Sequence, residues 1–192
     1  MGGRTAPSAA ATAARIGAAA HGGPAETARY GEAVLLAVPA AAPQAARELA
    51  ADLAGRTVLD CTVPTRPSSN GGPVLSTAGG SDSAALRVAA AAPHSHVARA
   101  FGICHESIWT LPQPAFEGAP LTVPFCRDAP AAEALTRELI TSMGCTPLPC
   151  GGLERAALLE AAAVFAVGVW WSGSEVRHAF PAPALAPGAV DD

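Results

Sequence analysis

The chain is 192 residues long, half of them hydrophobic and 15% charged, with twelve basic residues, all arginine, and a net charge of −4. That length suits one domain with a sizeable core and at most a helical appendage, and the lack of basic clusters excludes nucleic acid as the main partner. No run of about 18 or more apolar residues free of Gly, Pro and charge occurs, so no membrane span is expected, and the MGGRTAPSAA start lacks the apolar stretch of a secretory signal.

Residues 1–10 carry little structural signal, and Ala9–Ala20 reads as an alanine-rich helix ended by His21–Gly23. Ala25–Arg29 is one helical turn. Ala33–Val38 is a short apolar run closed by Pro39, the pattern of a buried strand. Pro43–Leu53 repeats apolar residues at helical spacing, and Gly55 stops it. Thr57–Cys61 is a second strand, closed by Pro64. Strand, helix and strand with short links form a βαβ unit, which builds parallel sheets with ligands at the carboxyl ends of the strands. Pro39 and Cys61–Pro64 mark that edge.

Thr65–Asp82, with SSNGGP at its centre, reads as a long loop. Ser83–Ala92 is a helix, Val97–Cys104 a strand broken at Gly102, and Glu106–Pro114 irregular. Leu121–Cys126 is a strand. Ala129–Met143 is an amphipathic helix with Leu135, Leu139, Ile140 and Met143 on one face. Thr146–Pro149 is a last short strand. Gly152–Trp171 is a nearly uncharged helix, and a helix apolar on all sides is buried, here against another subunit. The tail after Ser172 is Pro-rich and expected to be disordered. The five cysteines form no CxxC pair, so with no export signal they are expected as reduced thiols in the cytoplasm.

The series VLLAVP, GRTVLDCTVP, VARAF, LTVPFCRDA and MGCTPLPCGGLERAALLEAAAVF resembles the NADPH–deazaflavin oxidoreductase family across roughly residues 2–171. In that family the pattern runs strand-VP, D-C-T-N-P, K-A-F-N, a G-D-D turn, and D-A-G-P-L leading into a dimer helix. The resemblance implies an α/β, Rossmann-like parallel sheet over residues 1–150, a C-terminal apolar dimerisation helix over 151–172 and a tail over 173–192. It also implies that Met1 falls near the end of the family's second strand. The family's first strand, its G-x-G-x-x-G turn and its first helix have no counterpart in the sequence, so the domain is expected to be truncated and its sheet completed by a partner copy. In D-C-T-N-P, Val63 replaces the Asn, and in A-F-N, Gly102 replaces the Asn.

Cys104-His105-Glu106 follows the strand that, by this resemblance, ends beside the substrate. A thiol, an imidazole and a carboxylate in one loop suit a thiolate nucleophile with proton transfer, and they are the expected catalytic residues. Pro39, Thr65, Arg66, Phe101 and Trp109 are expected to line the cleft. Cys145 and Cys150 flank the last strand and are expected to meet Cys104 there. Trp170 and Trp171 either pack in the dimer core or line an apolar pocket. Arg4 and Thr5 match the family's segment for the NADP 2′-phosphate and serve only if that nucleotide binds. Cys61 and Cys126 are read as core packing. His94 and His96 have the H-x-H spacing of a metal pair but read as polar surface residues in a loop after Pro93, and a Cys145–Cys150–His105 grouping matches no standard metal motif, so no metal is expected.

The sequence thus points to a cytoplasmic, homodimeric enzyme acting on an apolar, conjugated small molecule without a cofactor, most simply an isomerase. An NADP-linked oxidoreductase is the alternative, and a non-catalytic dimeric scaffold the third reading.

Overall fold

The strand–helix–strand unit forms in the computed structural model, which describes residues 1–38, 41–78, 81–112, 114–174 and 176. Two helices precede it. Helix α1 (Ala6–Ile16) starts where the Thr5 hydroxyl accepts the Ser8 N–H and stops at Gly17, whose φ of 65° ends it before Ala20. Helix α2 (Pro24–Tyr30) follows Gly23. Strand β1 (Ala33–Leu36) leads to α3 (Ala42–Glu48) and α4 (Ala50–Leu53), two short helices split at Leu49 where one was expected. Strand β2 (Thr57–Asp60) completes the unit.

The expected long loop is in part a hairpin. Strands β3 (Thr65–Pro67) and β4 (Pro73–Leu75) pair antiparallel, with Pro67 opposite Pro73. Gly71 and Gly72, at φ 80° and 75°, make the turn. Helix α5 (Ala84–Ala91) is capped by Ser83, whose hydroxyl accepts the Leu86 N–H at 3.1 Å. Strand β5 (His96–Arg99) is shorter than expected, and a 3₁₀ turn covers Glu106–Thr110. A small hairpin, β6 (Ala115–Phe116) and β7 (Ala119–Pro120), precedes β8 (Thr122–Arg127). Helix α6 (Pro130–Ser142), strand β9 (Thr146–Gly152), a 3₁₀ turn (Leu153–Arg155) and helix α7 (Ala156–Trp171) follow.

The main sheet has the order β1-β2-β5-β8-β9. Its pairs are parallel except β5 with β8, which is antiparallel. The sheet is therefore parallel-dominated rather than parallel throughout. That reversal has a direct consequence: β8 and β9 begin at the edge where β2 and β5 end. The outer edge of β1 carries no ladder among the described residues, and a lone parallel bridge joins Gly2 to Gly22.

Alternation along the strands makes three layers. Val58, Val97 and Cys126 pack with α3, α4, α5 and α7 on one face, through Ala46, Leu53, Val88 and Ala156. Leu59, Ala98, Val123 and Phe125 face α6 on the other, through Ala132 and Ile140. Helix α7 leaves Leu158, Phe165, Trp170 and Trp171 exposed. Among the described residues, no helix is long and apolar enough to cross a membrane.

Candidate functional site

The carboxyl ends of β2 and β5 are tied by a buried ion pair. Asp60 is fully buried and Arg99 is 1% exposed, each at the end of its strand after two apolar residues. Arg99 Nη1 donates to Asp60 Oδ2 at 3.2 Å, to the Asp60 carbonyl at 3.3 Å and to the Thr62 carbonyl. Asp60 Oδ1 in turn accepts the Thr62 N–H at 3.0 Å and the Thr62 hydroxyl at 2.7 Å. One cation thus fixes both strand ends and the first residues of the loop after β2. Arg99 Nη2 has no hydrogen-bond partner among the described residues.

Glu160 joins this cluster from α7. It is fully buried, and its Oε1 accepts the Ala85 N–H at 3.4 Å at the start of α5. Burial pushes its pKa up, more than Arg99 and the Ala84 and Ala85 N–H groups pull it down, while Asp60 pushes it further up. A carboxyl with a raised folded pKa binds its proton more tightly folded than unfolded. Its contribution to stability is therefore full below the ordinary carboxylate range and falls as pH rises through the raised value. Glu160→Gln is expected to remove that part of the pH dependence in urea melts run from acid to neutral pH. An unchanged slope would show that Glu160 does not titrate in this window.

Beyond Arg99 the chain turns sharply. Phe101 has φ 64°, the left-handed region that a non-glycine residue rarely adopts. Its ring meets Trp109 edge to face, with centroids 5.3 Å apart at 89°. Both rings pack on the buried cluster of Ala100, Val123, Phe125, Ile140 and Cys145. Cys104 lies half-buried in the same loop. Burial raises its thiol pKa, and neighbouring Cys145 raises it further. Cys145 sits just before β9 and is buried, which raises its own pKa.

The reversal between β5 and β8 explains this meeting, because it brings the start of β9 to the edge where β5 ends. It also separates Cys145 from Cys150, which lies at the opposite end of β9 and packs toward the other face. Cys150 acts instead on Cys126, whose thiol is pushed up to about 11 by burial first and Cys150 second. Of the two cysteines expected beside Cys104, Cys145 lies near enough to act on its thiol electrostatically, and Cys150 sits at the opposite end of β9.

His105 is exposed, and its Nδ1 lies 3.0 Å from the Ser107 hydroxyl and accepts the Ser107 N–H at 3.3 Å. It caps the 3₁₀ turn instead of facing Cys104. The Glu106 side chain and Pro39 lie outside what the structure describes. Thr65 and Arg66 are exposed on β3, and that hairpin packs on α7 rather than on the Cys104 loop. Trp170 and Trp171 are exposed at the far end of α7. Arg4 is exposed, and the Thr5 hydroxyl is engaged as the cap of α1. Cys61 is half-buried, its thiol donating to the Leu36 carbonyl at 3.5 Å. Among the described residues, no three His, Cys, Asp or Glu side chains converge as metal ligands.

Two concavities flank these elements. A groove of about 430 Å³ runs between Pro73–Leu75 and the Phe165–Ser172 end of α7, lined by apolar residues and Ser172. A cavity of about 330 Å³ lies between Trp109, Leu111, Pro112 and Pro114 on one side and residues 141–144 on the other. The second adjoins Cys145 in sequence and shares Trp109 with the Cys104 loop. We assign the site there because this cavity shares Trp109 with the loop that carries Cys104, and the other groove shares no residue with that loop. Sequence reading missed Arg99, Asp60 and Glu160. Their signal was the isolation of a single charge inside an apolar run, as in VARAF and LLEAAAVF.

No protein-family model and no curated protein matches the chain. Solved structures do. The fold is similar to that of a protein from Arthrobacter sp. FB24 with a provisional F420-dependent NADP-reductase assignment, at 24% identity and TM-score 0.69, covering 80% of this chain and 70% of that one. A hypothetical protein from Sinorhizobium meliloti matches at 20% identity and TM-score 0.61, covering 83% and 73%. An imine reductase from Streptomyces aurantiacus matches at 18% and 0.56, covering 88% of this chain and 52% of that one. These likenesses establish a Rossmann-like fold and agree with the resemblance carried by the motifs.

Proposed function

We propose that this Rossmann-like scaffold binds an apolar, conjugated carbonyl compound beside Cys104, and that Cys104 isomerises its double bond without a nucleotide. The observation that carries the reading is the loop 100–109. It carries the half-buried Cys104 in the segment between Phe101 and Trp109, an edge-to-face aromatic pair, and Trp109 lines a cavity of about 330 Å³.

The chemistry balances without a redox partner. Cys104, once deprotonated, adds to the β-carbon of the conjugated system. A C–S bond forms, and the electron pair of the C=C bond moves through the conjugation to the carbonyl oxygen as an enolate. The former double bond is now single and rotates. Collapse of the enolate restores the C=C bond in the other geometry and expels the thiolate. Nothing is oxidised or reduced. The raised thiol pKa of Cys104 means that turnover increases as pH rises toward that value.

The second reading is an NADP-linked oxidoreductase, favoured by the fold shared with the reductases named above. Fluorescence titration with NADPH separates the two. No binding at micromolar concentrations is expected, together with conversion of a Z-configured aryl enal to the E form that Cys104→Ala abolishes. Micromolar NADPH binding, or full activity in the Ala variant, would replace the first reading by the second.

A further inference from the structure

Two cysteines stand opposite each other at the end of the β8–β9 ladder that lies away from Cys145. Phe125 pairs with Pro149 and Arg127 with Gly152, so the register slips by one residue between them. Cys126 alone therefore faces Cys150 and Gly151, and Gly151 takes φ 104° in the bulge. Both thiols belong to the same face of the sheet. Cys126 is buried in the cluster with Val58, Val97 and Leu153, and Cys150 packs against that cluster. Facing residues of adjacent strands have their Cα atoms about 5 Å apart. A disulfide spans Cα atoms about 4.4–6.8 Å apart, so the two strands already stand at bridging distance. The charges agree with this placement, since Cys150 is the largest influence after burial on the raised Cys126 thiol pKa.

The two thiols differ in access. Cys126 is fully buried, whereas Cys150 is half-buried and donates to the Leu148 carbonyl at 3.5 Å. Arg155 crosses the bulge, where a Cβ on Gly151 would lie 2.7 Å from Arg155 Cδ. Its positive charge pulls the Cys126 thiol pKa down against burial. A thiol that solvent reaches, with a cation nearby and a second thiol held across the ladder, is the arrangement of a redox-active pair.

We propose that Cys150 and Cys126 form a reversible redox modification site, in which Cys150 meets a hydroperoxide and Cys126 closes a disulfide. The Cys150 sulfur attacks the terminal oxygen of the hydroperoxide. The O–O bond breaks, Cys150 becomes a sulfenic acid, and the alcohol leaves with the Cys150 proton; with hydrogen peroxide that product is water. The Cys126 sulfur then attacks the Cys150 sulfur, the S–O bond breaks, and water leaves with the Cys126 proton. The two thiols lose two electrons and the peroxide gains them. A dithiol restores the pair by exchange. The bond ties β8 to the end of β9, just before the chain enters the Leu153–Arg155 turn and α7. The pair shares no residue with the cavity beside Trp109 and does not depend on the isomerase reading.

The test treats the full chain with hydrogen peroxide in native buffer, blocks the remaining thiols with iodoacetamide and maps peptides without reductant. Trypsin leaves Cys126 with Cys104 in residues 100–127, and Cys150 with Cys145 in residues 138–155. Chymotrypsin then cuts after Trp109 and separates Cys104 from Cys126. The expected result is a protein lighter by two hydrogens, with the Cys126 peptide joined to residues 138–155 and released by dithiothreitol. Cys150→Ser, at a half-buried position, should abolish the joined peptide. A bond to Cys104 instead of Cys126, or one that survives Cys150→Ser, overturns the assignment. So does oxidation of Cys150 to a sulfinic acid with no joined peptide, or no reaction of either thiol.

Discussion

Replacing Arg99 by methionine is expected to destabilise the protein by about 3–5 kcal/mol, the cost of leaving a buried carboxylate uncompensated. Asp60 is fully buried and keeps only the Thr62 N–H and hydroxyl when the guanidinium is gone. Asp60 Oδ2 and the Thr62 carbonyl lose the Arg99 donor at once, while the Asp60 carbonyl keeps the Ala100 N–H at 3.1 Å. The loss should appear as a lower urea midpoint with an unchanged slope. Most of it measures the stranded partner rather than the worth of the pair. Arg99→Met combined with Asp60→Asn should therefore recover a large part. A single variant within about 1 kcal/mol of the parent, well below the range for breaking a buried pair, would mean that water reaches Asp60 and that the cluster is not dry.

Phe125→Ala is the second large effect, expected at about 3–5 kcal/mol. Phe125 is fully buried on β8, between Ile140 of α6 and the Cys145 end of β9. The Arg137 guanidinium lies 5.7 Å from its ring centroid and covers its outer side. Truncation leaves a hole under the surface on which Phe101 and Trp109 rest, so the loss couples stability to the site. Phe125→Leu keeps most of the volume and should cost less than about 1.5 kcal/mol. Equal losses for the two variants would show that the site collapses around either side chain, and that packing does not set the position of the Cys104 loop.

The strands of the main sheet were legible because each is an apolar run closed by Pro, Gly or a turn cluster. Helix α5 was legible from Ser83, and α6 from its apolar face. Three things were not. The β3–β4 hairpin carries Pro at both Pro67 and Pro73, and proline-rich sequence reads as loop even where two prolines sit opposite each other on a short ladder. The reversal at β8 leaves no mark in sequence, since a buried strand has the same composition in either direction. It nevertheless decides which of Cys145 and Cys150 reaches Cys104. The polar cluster was overlooked because a single Asp, Arg or Glu in an apolar segment looks like an exception until the fold brings the three together. His105 shows the converse. Its place beside Cys104 in sequence suggested a partner for the thiol, and backbone geometry turned it to Ser107.

The hairpin between β2 and α5 also bears on how the chain closes its sheet. The β2–β5 ladder joins residues 57 and 96, 39 positions apart, whereas β1–β2 and β8–β9 join residues 24 apart. Closure entropy grows only with the logarithm of loop length, so the longer connection adds about 0.4 kcal/mol. Extra sequence at this point is therefore nearly neutral for folding. The fold accepts insertions cheaply at the hairpin that packs on α7, where a new segment can add surface without weakening the sheet beneath.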